Sequence, residues 1–306
     1  MDRHGRKRQT AVLITGTTSG IGAAFADLFA KNGHALALVS RDPQRLKAQK
    51  QDIEARFGVP VLTIARDLSD PWVPEEIIEE LDRQAWDIDI LVNNAGFNEC
   101  GFFAETNLGR ELQMIQTHVG TVTSLTKRLL PEMIKRGSGK ILNVGSTGSL
   151  VSCPRDAVYC ATKAFVLSFS EALAAELNGC GITVTALLPG ATRTAFASKA
   201  GIDDTLLFNT GVMDAHRVAL IGYRALMKGR RRVVAGWRNR LMMAAAPWMP
   251  KFVRDWMGHV VWRKVSRSAN TGRLAGSEKH LRNRNNRGRK RPIGTRNCVK
   301  GRSCLC

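Results

Sequence analysis

The sequence predicts an α/β fold, a doubly wound parallel sheet of seven strands with helices on both faces. Short runs of β-branched and aliphatic residues alternate with helical stretches from residue 11 to about residue 235, the pattern of a parallel sheet buried on both sides. A length of 306 residues and a hydrophobic content of 44% suffice for one such domain. Right-handed crossovers place the ligand site of this fold at the carboxyl ends of the strands.

The first strand–helix unit carries the clearest signals. Residues 11–15 predict a buried strand, a glycine-rich turn follows, and the next helix ends at Gly33. One apolar stripe of that helix consists of Ile21, Phe25, Leu28 and Phe29.

The later elements continue the alternation. After a second strand at 35–40, Asp42 and Pro43 fit the N-cap and first turn of a helix that Gly58 terminates. Further strands are expected at 59–65, 87–96, 139–146, 181–190 and 232–235, and further helices at about 105–135, 156–177 and 213–227.

The net charge of +20 is concentrated near the C-terminus. Residues 263–306 hold 14 lysine or arginine residues and one acid, a net +13 that leaves +7 for the rest of the chain. With few apolar residues and no periodicity, this segment is predicted to be a disordered basic tail. A nucleic-acid-binding arm, a polyanion-attracting tail without function and a frameshifted or read-through C-terminus are the alternatives, and nucleic acid is not the partner that we expect.

Four segments follow from these patterns: a basic N-terminal arm (1–10), the α/β domain (11–236), an aromatic and basic extension (237–262) and the basic tail (263–306). The extension combines arginines and lysines with Trp248, Phe252, Trp256 and Trp262. Packing on the protein's own body or on a partner subunit is favoured for it over contact with a membrane surface.

Cysteine usage and hydropathy indicate the compartment. Seven cysteines without a C-x-x-C pair argue against a disulfide scaffold and for a reduced, cytoplasmic setting. The basic start is followed by an apolar run too short for a signal peptide. The run 241–250 contains two prolines and is about half as long as a bilayer requires, so no transmembrane helix is predicted.

One of only two tyrosines precedes a lysine by four residues in the stretch D-A-V-Y-C-A-T-K-A. On a helix, Tyr159 and Lys163 would project from the same face. A free tyrosine has a pKa of about 10, and a nearby cation favours its ionised form, which suits proton transfer. A surface tyrosine beside a solvated lysine is the alternative for this motif taken alone.

The glycine-rich turn T-G-T-T-S-G-I-G lies between the first strand and its helix. Gly16, Gly20 and Gly22 permit a tight turn and a close backbone approach, and the helix N-terminus presents free N–H groups to a pyrophosphate. An ordinary glycine-rich loop is the alternative, but the strand before and the helix after favour dinucleotide binding.

The end of the second strand indicates which dinucleotide binds. Ser40 and Arg41 stand where an acid would bind the ribose 2′-hydroxyl and a base would bind a 2′-phosphate. The planar fork of arginine suits phosphate, so NADP is favoured over NAD despite the neighbouring Asp42. A surface salt bridge is the alternative role of Arg41. Asp67, after the third strand, fits either an acceptor for the adenine amino group or a helix N-cap.

Together these residues resemble the classical short-chain dehydrogenase/reductase family over about 11–236. The motifs occur in order, with T-G-x-x-x-G-I-G at 15–22, N-N-A-G at 93–96, a serine after the fifth strand at Ser146, Y-x-x-x-K at 159–163 and P-G at 189–190 before Thr192 and Thr194. The resemblance implies a Rossmann-type fold and an NAD(P)-dependent oxidoreductase that needs no metal and acts on a carbonyl or alcohol. It also implies a homodimer or homotetramer formed through the two long helices.

The resemblance assigns roles as well. Tyr159 would be general acid in reduction and general base in oxidation, Ser146 would hold the substrate oxygen, and Lys163 would bind the nicotinamide ribose and stabilise the tyrosinate. Asn93 would stabilise the central sheet, and NADPH would deliver the hydride. The implied cofactor-binding residues are Gly16, Ser19, Gly20, Ile21, Gly22, Arg41, Asp67, Asn94, Ala95, Gly96, Tyr159, Lys163, Pro189, Gly190, Thr192 and Thr194.

One position departs from the family pattern. The family places a fourth catalytic residue, an asparagine, thirteen residues before a Leu-Pro pair, and the same count back from Pro131 gives His118. The asparagine acts through its backbone carbonyl and an ordered water, which a histidine can keep, so we expect activity to survive. A tolerated replacement, an extra proton relay and a plain structural histidine are the three alternatives for His118.

The substrate side is less informative. The segment 191–211 is a candidate lid over the nicotinamide. A fairly apolar pocket could be lined by Cys153, Pro154, Phe196 and Leu207, which could equally be packing residues. A non-catalytic dinucleotide-sensing regulator is the rival function, and the joint presence of the serine, tyrosine and lysine argues against it.

Overall fold

The computed structural model describes residues 8–151, 153–194, 212–245 and Trp248. The start of the basic arm, most of the candidate lid and the basic tail lie outside these residues. So do Phe196, Leu207, Phe252, Trp256 and Trp262.

The strands are β1 Gln9–Thr15, β2 Ala35–Ser40, β3 Val61–Ala65, β4 Trp86–Asn93, β5 Gly139–Val144, β6 Ile182–Leu188, β7 Thr192–Arg193, β8 Met213–Asp214 and β9 Arg232–Val234. Seven of them form one parallel sheet in the order β3-β2-β1-β4-β5-β6-β9, which confirms the predicted fold class. Between β1 and β4 the order of the strands reverses, and this switch point opens a crevice at their carboxyl ends.

The helices are α1 Gly20–Lys31, α2 Pro43–Phe57, α3 Val73–Arg83, α4 Leu108–Ile115, α5 Thr121–Arg136, α6 Ala157–Glu176, α7 Ala215–Met227 and α8 Trp237–Ala245. Side chains of α1, α2 and α7 pack in one core cluster, and those of α3, α5 and α6 pack in a second. Alternate residues of β1 enter the two clusters, Val12 and Ile14 the first and Leu13 the second. The sheet is therefore covered on both faces, and its carboxyl edge is left for the site.

Capping explains the bounds of α2. Asp42 accepts hydrogen bonds from the backbone N–H groups of Gln44 and Arg45, both at 3.0 Å. Gly58 ends the helix with φ +66°, a left-handed conformation that favours glycine. Both boundaries agree with the sequence prediction.

Side-chain amides join the central strands below the site. Asn93 Nδ2 donates to Asn143 Oδ1 at 2.9 Å between β4 and β5, and Asn143 Nδ2 donates to Ser170 Oγ of α6 at 2.9 Å. All three residues are buried, so these hydrogen bonds fix α6 relative to the strands beside it.

Two helical regions differ from the prediction. The single helix expected at 105–135 begins later, at Leu108, because Asn107 caps it by accepting from the Arg110 N–H at 3.0 Å. It is also interrupted by a π-helical turn, Gln116–Gly120. Helix α3 was not expected, although its sequence has helix signals, with Pro74, Glu75 and Glu76 in the first turn and Val73, Ile77 and Leu81 on one buried face.

Among the described residues, α6 is the one helix whose length and composition would suffice to cross a membrane. It packs against β6, and its Leu173 and Ala174 belong to the second core cluster.

Candidate functional site

The glycine-rich turn has backbone conformations and contacts that suit glycine. Gly16 and Gly20 have φ values of +71° and +59°. A Cβ atom on Gly22 would overlap the carbonyl oxygen of Gly16, and one on Gly20 would lie 2.7 Å from the methyl carbon of Thr194. The first turn of α1 therefore approaches the end of β1 more closely than a larger residue allows.

The same turn leaves polar groups for a ligand. Ser19 occupies the N-cap of α1, but its side chain makes no capping hydrogen bond. Thr17 Oγ1 is buried and has no hydrogen-bond partner among the described residues. Ile21 anchors the helix start on the core. Unsatisfied N–H groups at a helix N-terminus, with a close glycine backbone, fit a pyrophosphate.

The N-N-A-G segment is fastened to this turn. Asn94 Nδ2 donates to the carbonyl oxygens of Thr15 and Gly16 at 2.9 and 3.1 Å. Thr15 Oγ1 accepts from the N–H groups of Asn94 and Ala95, both at 3.0 Å. These hydrogen bonds join the ends of β1 and β4 at the switch point.

The end of β2 presents an exposed arginine. Arg41 Nη1 lies 3.7 Å from Asp67 Oδ2, and both side chains are more than half exposed. Such a pair contributes little free energy, so the guanidinium remains open to a phosphate. Asp42 caps α2 with its carboxylate. Asp67 also accepts from the N–H and hydroxyl of Ser69, which makes it a turn residue and not the N-cap of α3.

Ser146 follows β5 and starts a single 3-10 turn, Thr147–Leu150. Its Oγ accepts from the Gly148 N–H at 3.0 Å, and its own N–H donates to Ser149 Oγ at 3.3 Å. Ser149 Oγ donates in turn to the backbone carbonyl of Lys163 at 2.8 Å, which fastens the turn to α6.

Tyr159 and Lys163 lie on the first two turns of α6 and face the end of β5. The Lys163 Nζ is 5.7 Å from the centre of the Tyr159 ring. It donates to the Val144 carbonyl at 3.0 Å and is buried, 6% of the residue being exposed. Tyr159 forms a hydrogen bond with Ser146. The three side chains that the sequence singled out therefore meet at one point.

Burial dominates the protonation of this group. It lowers the pKa of Lys163 to about 8. It also raises the pKa of Tyr159 above its ordinary value, against a smaller lowering by the hydrogen bond with Ser146. The sequence led us to expect a pKa lowered by the lysine. In this structure the shift has the opposite sign, because loss of hydration costs the tyrosinate more than the hydrogen bond returns.

His118 lies in the π-helical turn and is 1% exposed. Its Nε2 accepts from the Phe97 N–H at 3.2 Å, and its Nδ1 lies 2.9 Å from Thr162 Oγ1. A Cβ on Gly96 would lie 2.5 Å from Nε2, so this glycine admits the ring. Burial, and secondarily the charge of Lys163, hold the pKa of His118 well below its usual range. The imidazole is neutral, with both nitrogens engaged.

The P-G segment closes the site on the β6 side. The Pro189 carbonyl accepts from the Thr147 N–H at 2.8 Å, and Thr192 Oγ1 donates to the Gly190 carbonyl at 2.9 Å. A Cβ on Gly190 would overlap the side chain of Asn239 in α8. Helix α8 therefore packs beside the Ser146 turn and the P-G turn. Its Met243 is buried in a small core cluster.

Sequence reasoning missed a buried polar cluster next to the tyrosine. Asp156, at the N-cap of α6, is 2% exposed and accepts from Asn98 Nδ2 at 3.0 Å. Cys100 forms a hydrogen bond with the same carboxyl. Cys153 forms a hydrogen bond with Cys160, which lies one helical turn after Asp156. An acid three residues before the tyrosine was the available signal, but its burial depends on the loop after β4. Of the expected pocket residues, Cys153 and Pro154 are half-buried here.

A family model described as short chain dehydrogenase matches residues 10–205. A sulfoacetaldehyde reductase of Chromohalobacter salexigens is 40% identical over 215 residues, which are 68% of this chain and 84% of the relative. An NADP-dependent 3-hydroxy acid dehydrogenase of Salmonella typhi is 38% identical over 181 residues, 58% of this chain and 71% of the relative.

Two solved structures are similar to this chain. A short-chain dehydrogenase from Sphingobium yanoikuyae in complex with NADPH superposes with a TM-score of 0.70 at 33% identity, covering 78% of this chain and 94% of the other. A bulky-bulky ketone specific alcohol dehydrogenase from Comamonas testosteroni gives a TM-score of 0.65 at 30% identity, covering 80% and 94%.

Proposed function

The chain belongs to the short-chain dehydrogenase family, and we propose that it is an NADP-dependent enzyme that interconverts a carbonyl compound and its secondary alcohol, with Tyr159 as general acid and base. Oxidoreductase activity on a small molecule follows from the family itself. The observation that carries the finer proposal is the convergence of Ser146, Tyr159 and Lys163 at the carboxyl end of β5.

The glycine turn fits a dinucleotide. The close approach of Gly22 to Gly16 and the unpartnered Thr17 hydroxyl form a cradle that any Cβ would fill. Bound there, the cofactor supplies the hydride. The residues that would hold it are Gly16, Ser19, Gly20, Ile21, Gly22, Arg41, Asp67, Asn94, Ala95, Gly96, Tyr159, Lys163, Pro189, Gly190, Thr192 and Thr194.

Arg41 supports NADP over NAD. Its guanidinium is exposed at the end of β2, while the adjacent acid, Asp42, is committed to capping α2. An arginine fork binds a 2′-phosphate, whereas NAD enzymes of this fold place a free acid here. The 3-hydroxy acid dehydrogenase of Salmonella typhi is named as NADP-dependent, and the short-chain dehydrogenase from Sphingobium yanoikuyae is in complex with NADPH.

The protein's own groups manage the proton. Tyr159 has a raised pKa and is therefore protonated at neutral pH, so it donates to a carbonyl oxygen as negative charge develops there. The Ser146 hydroxyl donates a hydrogen bond to the same oxygen. The buried ammonium of Lys163 then favours the tyrosinate that remains.

We further propose a homodimer or tetramer that forms through α4 and α6, in the cytoplasm. Both helices expose large apolar side chains, namely Leu108, Leu112, Ile115 and Phe165. A charge placed on this face should dissociate the assembly, so Phe165→Glu should elute at a lower mass in light-scattering chromatography. Unchanged mass would move the interface elsewhere.

A panel of aldehydes and ketones with NADPH and NADH tests the proposed function. We expect turnover with NADPH and, for Tyr159→Phe, a loss of about 10²- to 10⁴-fold in kcat with cofactor binding retained. Cofactor binding without turnover of any carbonyl would make the protein a dinucleotide sensor instead. Tyr159→Phe with wild-type turnover would remove the phenol from the mechanism.

A further inference from the structure

Asp156 is a buried acid that the proposed mechanism leaves without a role. It lies at the N-cap of α6, three residues before Tyr159. Its side chain does not cap the helix, because it accepts no hydrogen bond from the backbone N–H groups of the first turn. Within the described ranges, the groups that act on this carboxyl include no cation. A buried carboxyl without a cation as partner is costly, so its place beside the phenol calls for an explanation.

Two loops meet at this acid. Asn98 Nδ2, from the loop after β4, donates to Asp156 Oδ1 at 3.0 Å. Nearby, the Gly101 N–H donates to the Arg155 carbonyl at 2.9 Å, and the Arg155 guanidinium lies 4.4 Å from the centre of the Phe102 ring.

The backbone at this contact is strained. Arg155 has φ +70°, a conformation that costs a non-glycine residue free energy. The contacts between the loops hold the acid in place despite that strain.

The two hydrogen-bond donors around Asp156 offset only part of the effect that burial has on its pKa. Burial raises its pKa to about 6, against smaller lowering by the hydrogen bonds with Asn98 and Cys100. It is therefore a carboxylate at neutral pH.

The charged and titratable groups around the phenol come from four segments. Helix α6 contributes Asp156, Cys160 and Lys163, and the π-helical turn contributes His118, whose ring lies edge-on to Tyr159 with centres 5.8 Å apart. The loop before α6 contributes Cys153 and Arg155, and the loop after β4 contributes Cys100.

Most of these groups are neutral or directed elsewhere. His118 has a pKa far below neutral, and the hydrogen bond with Cys153 raises the pKa of Cys160, so both are uncharged near pH 7. Arg155 lies over Phe102. The tyrosine thus stands between one cation, Lys163, and one carboxylate, Asp156, within the part of the chain that is described.

We propose that Asp156 is a positioning residue that acts through Tyr159, and that its buried carboxylate raises the pH at which alcohol oxidation sets in. The proposal rests on the proposed function. A negative charge beside a phenol disfavours the tyrosinate, which is the form needed as base for alcohol oxidation. Reduction uses the phenol, which is protonated at neutral pH with or without this charge, so the effect of Asp156 should appear on the oxidation limb.

Asp156→Asn tests this proposal, since the amide retains an oxygen for Asn98 and removes only the charge. The rate of alcohol oxidation should rise with pH along a limb that is shifted downward by about half a pH unit, so that kcat/KM below the limb increases ~3-fold. The KM for the cofactor should not change. Glu105→Gln, an exposed residue of the same charge in the neighbouring loop, is the matched control and should leave the limb in place.

A second measurement covers a variant that folds poorly. The chain has two tyrosines, so in a Tyr223→Phe background the tyrosinate absorbance reports Tyr159 alone. With oxidised cofactor bound, Asp156→Asn should bring the titration to lower pH. Asn98→Ala removes a donor but keeps the acid, which is ionised at the pH where Tyr159 titrates, so it should leave the titration in place.

The outcomes separate the two claims. If the wild-type protein turns over no carbonyl with NADPH, the proposed function fails. If the wild-type enzyme is active and the Asp156→Asn limb and titration coincide with those of the wild type, only the role of Asp156 fails, and its carboxyl merely holds the loops together.

Discussion

His118 and Thr162 connect the π-helical turn to α6, the helix that carries Tyr159. Their Nδ1 and Oγ1 atoms lie 2.9 Å apart, and Thr162 Oγ1 donates to the Tyr159 carbonyl at 2.7 Å. Because Nε2 accepts from the Phe97 N–H, the ring proton is on Nδ1 and is donated to Thr162. The imidazole joins three segments of the site by hydrogen bonds. This geometry favours a structural role over a proton relay.

His118→Asn should therefore leave the pH profile of kcat unchanged, with activity retained. The loss of a rate-determining ionisation in this variant would instead identify a relay. His118→Leu should cost about 2 to 4 kcal/mol of unfolding free energy, because it leaves the Phe97 N–H and the Thr162 hydroxyl with poorer partners. Chemical denaturation of the wild type and of both variants measures this change in the free energy of unfolding.

The same histidine should make stability depend on pH. Its folded pKa is lowered, so the unfolded chain binds the extra proton below about pH 6.5. The free energy of unfolding should consequently fall as pH decreases below 6.5, and His118→Asn should flatten this part of the curve. Equal slopes in the two proteins would mean that the imidazole is charged in the folded state.

The sequence was sufficient for the sheet, the glycine turn and the Y-x-x-x-K face, because each depends on local periodicity or on chain-adjacent residues. Asp42 and Gly58 bound α2 as their residue types require. The π-helical turn was not predictable, since it places His118 against Phe97 and Thr162, which are distant in sequence.

The direction of the tyrosine's pKa shift was missed for a related reason. The spacing of Tyr159 and Lys163 shows that a cation is near, but not how much water the fold removes. Desolvation is a property of the assembled core, and here it outweighs the lowering of the pKa by the hydrogen bond with Ser146.

Lys163→Met should separate stability from activity. A buried ammonium whose pKa falls to about 8 is costly near neutral pH, where it is charged. Its removal should raise the free energy of unfolding by about 1 to 2 kcal/mol, after the lost hydrogen bond to Val144 is deducted. Activity should fall by at least about 10²-fold.

The stability gain in this variant should also depend on pH. Between about pH 8 and 10.4 the unfolded lysine binds more protons than the folded one, so wild-type stability recovers as pH rises through this window. The difference between variant and wild type should shrink accordingly. A variant that is less stable than wild type at pH 7 and at pH 10 alike would show that the ammonium stabilises the fold.

Gly22→Ala should abolish dinucleotide binding. The added methyl would overlap the Gly16 carbonyl, so the turn must open and its N–H groups must move. Gly33→Ala is the matched control, because Gly33 belongs to the same strand–helix unit, directly after α1, and an added Cβ there would meet open space, although its φ is +80°. It should lose about 1 kcal/mol of stability and keep the affinity for cofactor, as measured by calorimetric titration. Equal cofactor affinity in both variants would place the phosphates elsewhere.

Arg41→Ala should reduce the preference for NADPH over NADH by about 10- to 100-fold, because a hydrogen-bonded charge pair contributes about 1.5 to 3 kcal/mol. The loss should appear in KM for NADPH, while KM for NADH stays within about two-fold. Arg45→Ala removes a nearby arginine that pairs with the capping Asp42 at 3.4 Å, and it should leave the preference intact. Since the ion pair of Arg41 with Asp67 is exposed and weak, neither substitution should change the melting temperature appreciably. An unchanged ratio of kcat/KM for the two cofactors in Arg41→Ala would show that the arginine belongs to the surface pair alone.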